Sequence, residues 1–210
     1  MHAGGVLADS ILGNQTARSV RQVFAPKVTG MQNLSHALSL DALGVQVMFS
    51  SVAALLGSAG QANYAAANAI MDAHAHTSQS SGLGVVSVRW GAWASGGMAG
   101  RHARRMEQMG LYMLSPSEGL VALQGILVRM CSGRTGCIGG MEWCPYAQIA
   151  VQRFMWAKFL SRMGTVPAFF SEMGDPLSTD QTVAEASGRG ARSVESMARA
   201  AVTAETLHQK

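Results

Sequence analysis

Cysteine is nearly absent from this sequence of 210 residues: there are three, Cys131, Cys137 and Cys144. An odd count without C-x-x-C spacing gives neither a zinc site nor a disulfide frame, and it points to a reducing compartment, the cytoplasm. Charge is also scarce, with Asp, Glu, Lys and Arg at 13% and a formal net charge of +4. The excess is spread out rather than gathered in a run, which is a mild surface bias and not a nucleic-acid footprint. No apolar run approaches the roughly 18 residues of a membrane span. The start, Met1-His2-Ala3-Gly4-Gly5, lacks a signal-peptide pattern. What the chain does have is apolar content, 48%, enough for one domain with a substantial core.

Its pattern is that of an α/β fold. Ala3-Gly4-Gly5-Val6-Leu7 resembles the end of a buried strand whose beginning is absent. Val20, Val23, Phe24, Val28, Met31, Leu34 and Leu38 recur at helical spacing. Pro26 is expected to kink or split that helix, with Lys27 just after the break and partly exposed there. The apolar run from Val45 to Phe49 reads as a short buried strand ending in Ser50-Ser51. A loop of small residues leads to an alanine-rich helix from about Asn63 to Thr77, then a valine-rich strand over 85–90. Strand, helix, strand, helix, strand implies a parallel sheet with right-handed crossovers.

Beyond Trp90 the character changes. Residues 91–100 form a glycine-rich loop around Trp93, followed by an expected short basic helix over 101–109. Ser115-Pro116-Ser117-Glu118 carries Ser at N-cap, Pro at N1 and Glu at N3, a strong start for a helix to about Met130. Residues 137–143 read as a last strand and 147–163 as a closing helix. The domain is expected to span 1–163, with 164–210 a flexible tail that lacks aromatics from Gly174 onward.

Ser51 lies at the carboxyl end of its strand, where open parallel sheets place their ligands. Tyr64 and Asn68 are four residues apart and share one helix face. A phenol near a cation can act as a general acid, a serine hydroxyl can hold a carbonyl oxygen beside it, and Lys27 is the candidate cation. Taken singly, Ser51 reads as a turn serine and Tyr64 as a packing residue. Asn68 inside an alanine-rich helix is harder to dismiss, because Asn is a poor helix former. His74 and His76, two apart, do not face each other, and no metal site is expected.

These segments, together with Ala25-Pro26-Lys27-Val28-Thr29-Gly30, Gly60-Gln61-Ala62-Asn63-Tyr64 and Arg89-Trp90-Gly91-Ala92-Trp93, resemble the short-chain dehydrogenase/reductase superfamily. More closely, they resemble the ketoreductase domain of modular polyketide synthases and related animal-type fatty acid synthases, over roughly residues 2–160. Ordinary short-chain reductases carry Lys four residues after the Tyr. This chain has Asn68 there and Lys27 on the earlier helix, the arrangement of the polyketide type.

The resemblance implies a Rossmann-like parallel sheet with flanking helices, in its carboxyl-terminal half, and a lid after the third strand. It implies Tyr64 as proton donor, Ser51 orienting a β-carbonyl, and Lys27 and Asn68 completing a catalytic tetrad. NADPH is the implied cofactor, with Ala3, Gly4, Lys27, Tyr64, Trp90 and Gly91 near it. Asp9, Trp93 and Met98 would face the substrate from the lid side. The implied partners are an acyl carrier protein bearing a phosphopantetheine-linked β-ketoacyl chain, the amino-terminal half of the same domain and other synthase domains. Arg101, Arg104 and Arg105 could meet that carrier or form a solvated helix face.

One departure is large: no G-x-G-x-x-G is present, and Gly82-x-Gly84 fails at its last glycine. Without that turn there is no helix N-terminus for a pyrophosphate. The chain is therefore expected to be the second half of a ketoreductase, inactive alone. The alternatives are a non-catalytic docking module of a synthase and a free short-chain reductase, the latter disfavoured by Asn68. In the resembled family a Leu-Asp-Asp motif marks one stereochemical class, and a Trp three residues before the serine marks the other. Leu7-Ala8-Asp9 and Met48 stand at these places, which implies a 3R hydroxyl.

Overall fold

The computed structural model describes residues 1–38, 45–94, 103–132, 146–171 and 173. Helix α1 (Ala17–Phe24) opens on a capping box, in which Ser19 N–H donates to Thr16 Oγ1 at 3.1 Å and Thr16 N–H to Ser19 Oγ at 3.0 Å. Pro26 has no N–H to continue the ladder, and the chain widens into a π-helical turn, Ala25–Thr29, before α2 (Gly30–Ala37). The break expected at Pro26 thus takes the form of a wide turn centred on Lys27.

There follow β1 (Gln46–Ser51), α3 (Ala53–Leu56), α4 (Ala62–Ser80), β2 (Val85–Trp90), α5 (Ala103–Gln108), β3 (Leu111–Tyr112), α6 (Pro116–Ser132), β4 (Gln148–Val151), β5 (Arg153–Phe154) and α7 (Trp156–Leu160). The chain divides into two compact units, Met1–Gly91 with Leu123–Val151, and Ala92–Ala122 with Gln152–Lys210.

The first unit is α/β. Its parallel sheet has the order β1-β2-β4, with Ser51 beside Trp90 and Trp90 beside Val151. Five of the six β2 residues are buried, as expected of a strand covered on both faces. Met48 and Val85 of the sheet, Met71 and Ala75 of α4, Met31 of α2 and Ala147 form one core cluster. Val23, Val28 and Ala67 form another, flanked by Ala8, Phe24 and Tyr64.

A buried polar knot ties α4 to the sheet. Asp72 accepts from Ser87 Oγ at 2.6 Å and from Arg89 Nε at 2.8 Å. Arg89 Nη2 also donates to Gln148 Oε1, and Gln148 Nε2 to the Asp72 carbonyl at 3.0 Å.

The second unit is built on an aromatic cluster. Phe154 stacks on Trp156 with centroids 4.1 Å apart, and Phe159 meets both Trp156 and Phe170 edge-on. β3 pairs antiparallel with β5. The Ser115 cap of α6 is formed as its sequence predicts: Ser115 N–H donates to Glu118 Oε2 at 2.8 Å and Glu118 N–H to Ser115 Oγ at 3.3 Å. No described helix is long and apolar enough to cross a membrane.

Three expectations are corrected. The closing helix over 147–163 is instead β4, β5 and the short α7. Ile149 and Val151 are β-branched, and the open edge of β2 gives the segment a ladder, which outweighs its helical periodicity. Ala3–Leu7 forms no strand; the parallel pairing with β1 is confined to His2, opposite Met48. The chain also stays packed past residue 163, because Phe170 is buried at the end of a short 3-10 turn, Ala168–Phe170. The expected strand over 137–143 and the tail from 174 lie outside the described residues.

Candidate active site

β1 delivers Ser51 to the sheet's carboxyl end, where Ala53 N–H donates to its Oγ at 3.1 Å. The serine therefore closes a local turn through its oxygen, which leaves its hydroxyl proton to be donated elsewhere, and its side chain acts on the Tyr64 phenol. Asn63 sets the first turn of α4. Its Oδ1 accepts from the Tyr64 N–H at 2.8 Å, and its Nδ2 donates to the Ala8 carbonyl at 2.9 Å. Ser10 N–H donates to the Gly60 carbonyl at 2.8 Å, so the segment around Asp9 is joined twice to the entry of α4. Asp9 itself accepts from Gln61 Nε2 at 3.1 Å.

Tyr64 is half-buried. Burial pushes its phenol above the ordinary value, the Asn68 and Ser51 side chains pull it back, and the Asp9 charge raises it again. Asn68 is fully buried, with Nδ2 donating to the Tyr64 carbonyl at 2.8 Å.

Lys27 is 3% exposed, against the partial exposure that its place after a proline suggests. The π-helical turn aims it inward, where its Nζ donates to the Phe49 carbonyl at 3.0 Å and lies 5.2 Å from the centre of the Tyr64 ring. Desolvation lowers its pKa from 10.5 to about 8, against the opposing pull of Asp72. Desolvation is the largest influence on each group, so the phenol is raised and not lowered.

Lys27, Ser51, Tyr64 and Asn68 all belong to the first unit, on the π-helical turn, β1 and α4. Gly4 and Gly5 lie beside them, but their bareness is already used. A Cβ on Gly5 would stand 3.2 Å from Lys27 Cε, and one on Gly4 3.3 Å from His2 Cε1. Ala3 is exposed. Trp90, 5% exposed, packs on Phe49 with centroids 5.5 Å apart. Gly91 N–H donates to the Val151 carbonyl at 2.8 Å, tying the end of β2 to β4. Trp93 lies in the second unit, paired with Leu114. Met98 and Arg101 lie outside the described residues, and Arg104 and Arg105 are exposed on α5. Met48 is fully buried with Met31 and Met71, three residues and hence one strand face away from Ser51. A larger side chain there would press on the core, so Met48 gives the 3R assignment no steric basis, and Asp9 alone carries it.

Sequence reasoning passed over His2, Asn63 and Asp72 as individual residues. Asp72 had a signal, a carboxylate four residues beyond Asn68 on the same buried stripe.

Residues 1–95 match the family model of the KR domain. A phenolphthiocerol/phthiocerol polyketide synthase of Mycobacterium tuberculosis is 41% identical over 136 residues, which is 65% of this chain and 6% of that protein. Polyketide synthase GfsB of Streptomyces halstedii is 44% identical over 133 residues, 60% of this chain and 2% of its own length. The solved structure of the first ketoreductase of the tylosin PKS overlays with a TM-score of 0.64 at 31% identity, covering 77% of this chain and 33% of that one. A-type ketoreductases from a modular polyketide synthase give 0.65 at 30%, covering 77% and 31%. The chain therefore spans a small fraction of the synthases it matches.

The parallel sheet with flanking helices is a Rossmann-like α/β fold of the short-chain reductase kind. Within that class, residues 1–95 match the KR domain, and the chain is similar to the ketoreductases of modular polyketide synthases.

Proposed function

We propose that this chain supplies the acid–base side of an NADPH-dependent β-ketoacyl reductase, acting in the cytoplasm on a thioester held by an acyl carrier protein among other synthase domains. The observation that carries the reading is one spatial fact: the Lys27 ammonium lies over the Tyr64 ring, on whose phenol Ser51 and Asn68 also act.

Burial keeps the Tyr64 phenol protonated at neutral pH, so its proton is present to give. The Ser51 hydroxyl donates to the ketone oxygen and holds it beside the phenol. As the oxygen gains charge, Tyr64 passes it a proton. The phenolate left behind is stabilised by the buried ammonium of Lys27. Asn68 fixes the first turns of α4 through the Tyr64 carbonyl, which keeps the phenol aimed.

NADPH, when bound, supplies the hydride. Lys27 and Tyr64 offer an ammonium and a phenol suited to its ribose hydroxyls, and they are the residues of this chain that would hold it. The fit stops there, since the sequence has no glycine-rich turn for the pyrophosphate. Asp9, exposed beside the entry to α4, supports a 3R product.

The test compares this chain with a version extended upstream. The 210-residue chain is expected to show no NADPH-dependent reduction of a β-ketoacyl thioester, whereas the extended version turns over. In the latter, Tyr64→Phe loses most of kcat and leaves NADPH affinity nearly unchanged. A kcat within about threefold, worth roughly 0.7 kcal/mol of barrier, removes Tyr64 as the acid. The absent glycine-rich turn favours one second reading, a docking module; an extended version that binds no NADPH would select it.

A further inference from the structure

We propose that His2 is a positioning residue for Lys27: its main chain and its ring together pin the π-helical turn to β1 and so set where the ammonium sits. The consequence for catalysis rests on the role given to Lys27 above, whereas the positioning itself does not.

The main chain of His2 is joined to β1 on both sides, its N–H donating to the Val47 carbonyl at 2.8 Å and its carbonyl accepting from the Phe49 N–H at 2.9 Å. Its Nε2 lies 3.1 Å from the Lys27 carbonyl. A carbonyl only accepts, so the ring carries its proton on Nε2. Lys27 then reaches back, Nζ donating to the carbonyl of the same Phe49 at 3.0 Å. His2, Lys27 and Phe49 thus form a closed ring of hydrogen bonds, in which moving any one member stretches another.

Two glycines make room for the imidazole. A Cβ on Gly30 would stand 3.2 Å from His2 Cε1 and 3.6 Å from Nε2, and one on Gly4 3.3 Å from Cε1. Gly30 has φ −59 and ψ −45, ordinary helical angles that any residue adopts. A glycine inside a helix costs about 0.5–1 kcal/mol relative to alanine. Backbone freedom is not needed at Gly30, so what its bareness supplies is space for the ring. The π-helical turn contributes as well: Gly30 N–H reaches both the Ala25 and Lys27 carbonyls, and the Lys27 carbonyl keeps a second lone pair for His2.

The ionisable groups around Lys27 are His2 on the amino-terminal segment and Tyr64 and Asp72 on α4, with Arg89 of β2 paired to Asp72. β1 presents the Phe49 carbonyl.

The test reads the ammonium directly. The chain has three lysines, Lys27, Lys158 and Lys210, so 13C/15N-lysine labelling gives few signals, assigned with Lys27→Met. In the unsubstituted chain Lys27 is expected to titrate near 8. His2→Gln places an amide nitrogen where Nε2 was and should leave the midpoint within about 0.3 pH unit. His2→Leu should move it up by about one pH unit or more, toward exposed lysine. Gly30→Ala, which crowds the ring while keeping His2, should shift it in the same direction. Unmoved midpoints in folded His2→Leu and in Gly30→Ala overturn the proposal. Should His2→Leu fail to fold by circular dichroism, an unmoved midpoint in Gly30→Ala, or a shift in His2→Gln as large as one pH unit, overturns it. Because neither substrate nor cofactor takes part in the titration, these outcomes are independent of Tyr64→Phe activity: an active Tyr64→Phe enzyme would end the reductase reading and leave this one standing.

Discussion

Lys27 and Tyr64 meet ammonium over ring, 5.2 Å from nitrogen to ring centre, and burial drives both toward their neutral forms. In the resting chain the pair is a poised acid and a reluctant cation, and its energetics should be visible in stability before any reaction is measured.

The first prediction is a pH-dependent stability that Lys27 controls. The unfolded chain keeps its lysine proton up to 10.5, while the folded chain releases it near 8. Between those values the unfolded state binds more protons, so stability rises with pH across that window and is flat below it. At 1.36 kcal/mol per pH unit the full effect is about 3 kcal/mol. Tyr64 acts in reverse: its folded phenol holds its proton above the ordinary 10.0, so its contribution falls once pH passes that value. Urea midpoints of the wild type should therefore be flat below about pH 8 and climb from there to about pH 10. Lys27→Met should remove the climb and lose no stability at pH 7. Equal slopes in the two proteins would sink the idea.

The Asp72–Arg89 pair should show strong coupling. Asp72 is 4% exposed, and removing it takes the carboxylate partner from a largely buried Arg89, which keeps only Gln148, and from the buried Ser87 hydroxyl. Asp72→Ala is expected to cost about 3–5 kcal/mol. The double variant with Arg89→Ala should cost clearly less than the two singles combined. A double-mutant cycle by urea unfolding checks this; additive effects would mean that the pair is not held as described.

Gly110 and Gly57 make a controlled comparison. Both have positive φ, +78 and +73, but a Cβ at Gly110 would lie 2.7 Å from the Phe159 nitrogen and 2.9 Å from the Met155 carbonyl, while at Gly57 nothing lies within 4 Å. Gly57, with φ +73 and ψ 164, lies in a region essentially reserved for glycine, so Gly57→Ala should cost about 1–3 kcal/mol in backbone strain alone. Gly110→Ala meets rigid main chain as well and should cost distinctly more, read as a lower thermal midpoint. Similar midpoints for the two would refute the clash.

Gly119→Ala should free the strand-like contact beside Trp93. A Cβ there would overlap the indole ring, and next to it Ala94 N–H donates to the Leu114 carbonyl and Leu114 N–H to the Ala92 carbonyl, each at 2.7 Å. Exchange of the Ala94 amide, bonded to Leu114, and of the Leu114 amide, bonded to Ala92, is expected to quicken by about tenfold, equivalent to roughly 1.4 kcal/mol. Unchanged protection would place the indole elsewhere.

Much of this site was legible because its residues announce themselves by spacing. Ser51 follows an apolar run, and Tyr64 and Asn68 sit one turn apart in a helix whose alanines leave little else to explain. The Ser115 cap was legible for the same local reason. What sequence could not supply was anything decided by a distant partner. Lys27 looked exposed because it follows a proline, yet the widened turn rotates it inward onto a carbonyl of β1. Gln148–Val151 looked helical until β2 offered it a ladder. Met48 could be judged as a substrate-facing position only once the strand face it occupies was known.

α4 carries Tyr64, Asn68 and Asp72 as one stripe over two turns, each four residues from the next. An α-helix advances about 100° per residue. Deleting or inserting one residue between Tyr64 and Asn68 would therefore swing the phenol a quarter-turn or more away from the amide and carboxylate together, a fault no point substitution nearby could repair. Length variation among natural versions of this segment should accordingly be confined to the turn between Ser80 and Val85, where Gly82 already runs at φ +81 with nothing within 4 Å of its Cβ position.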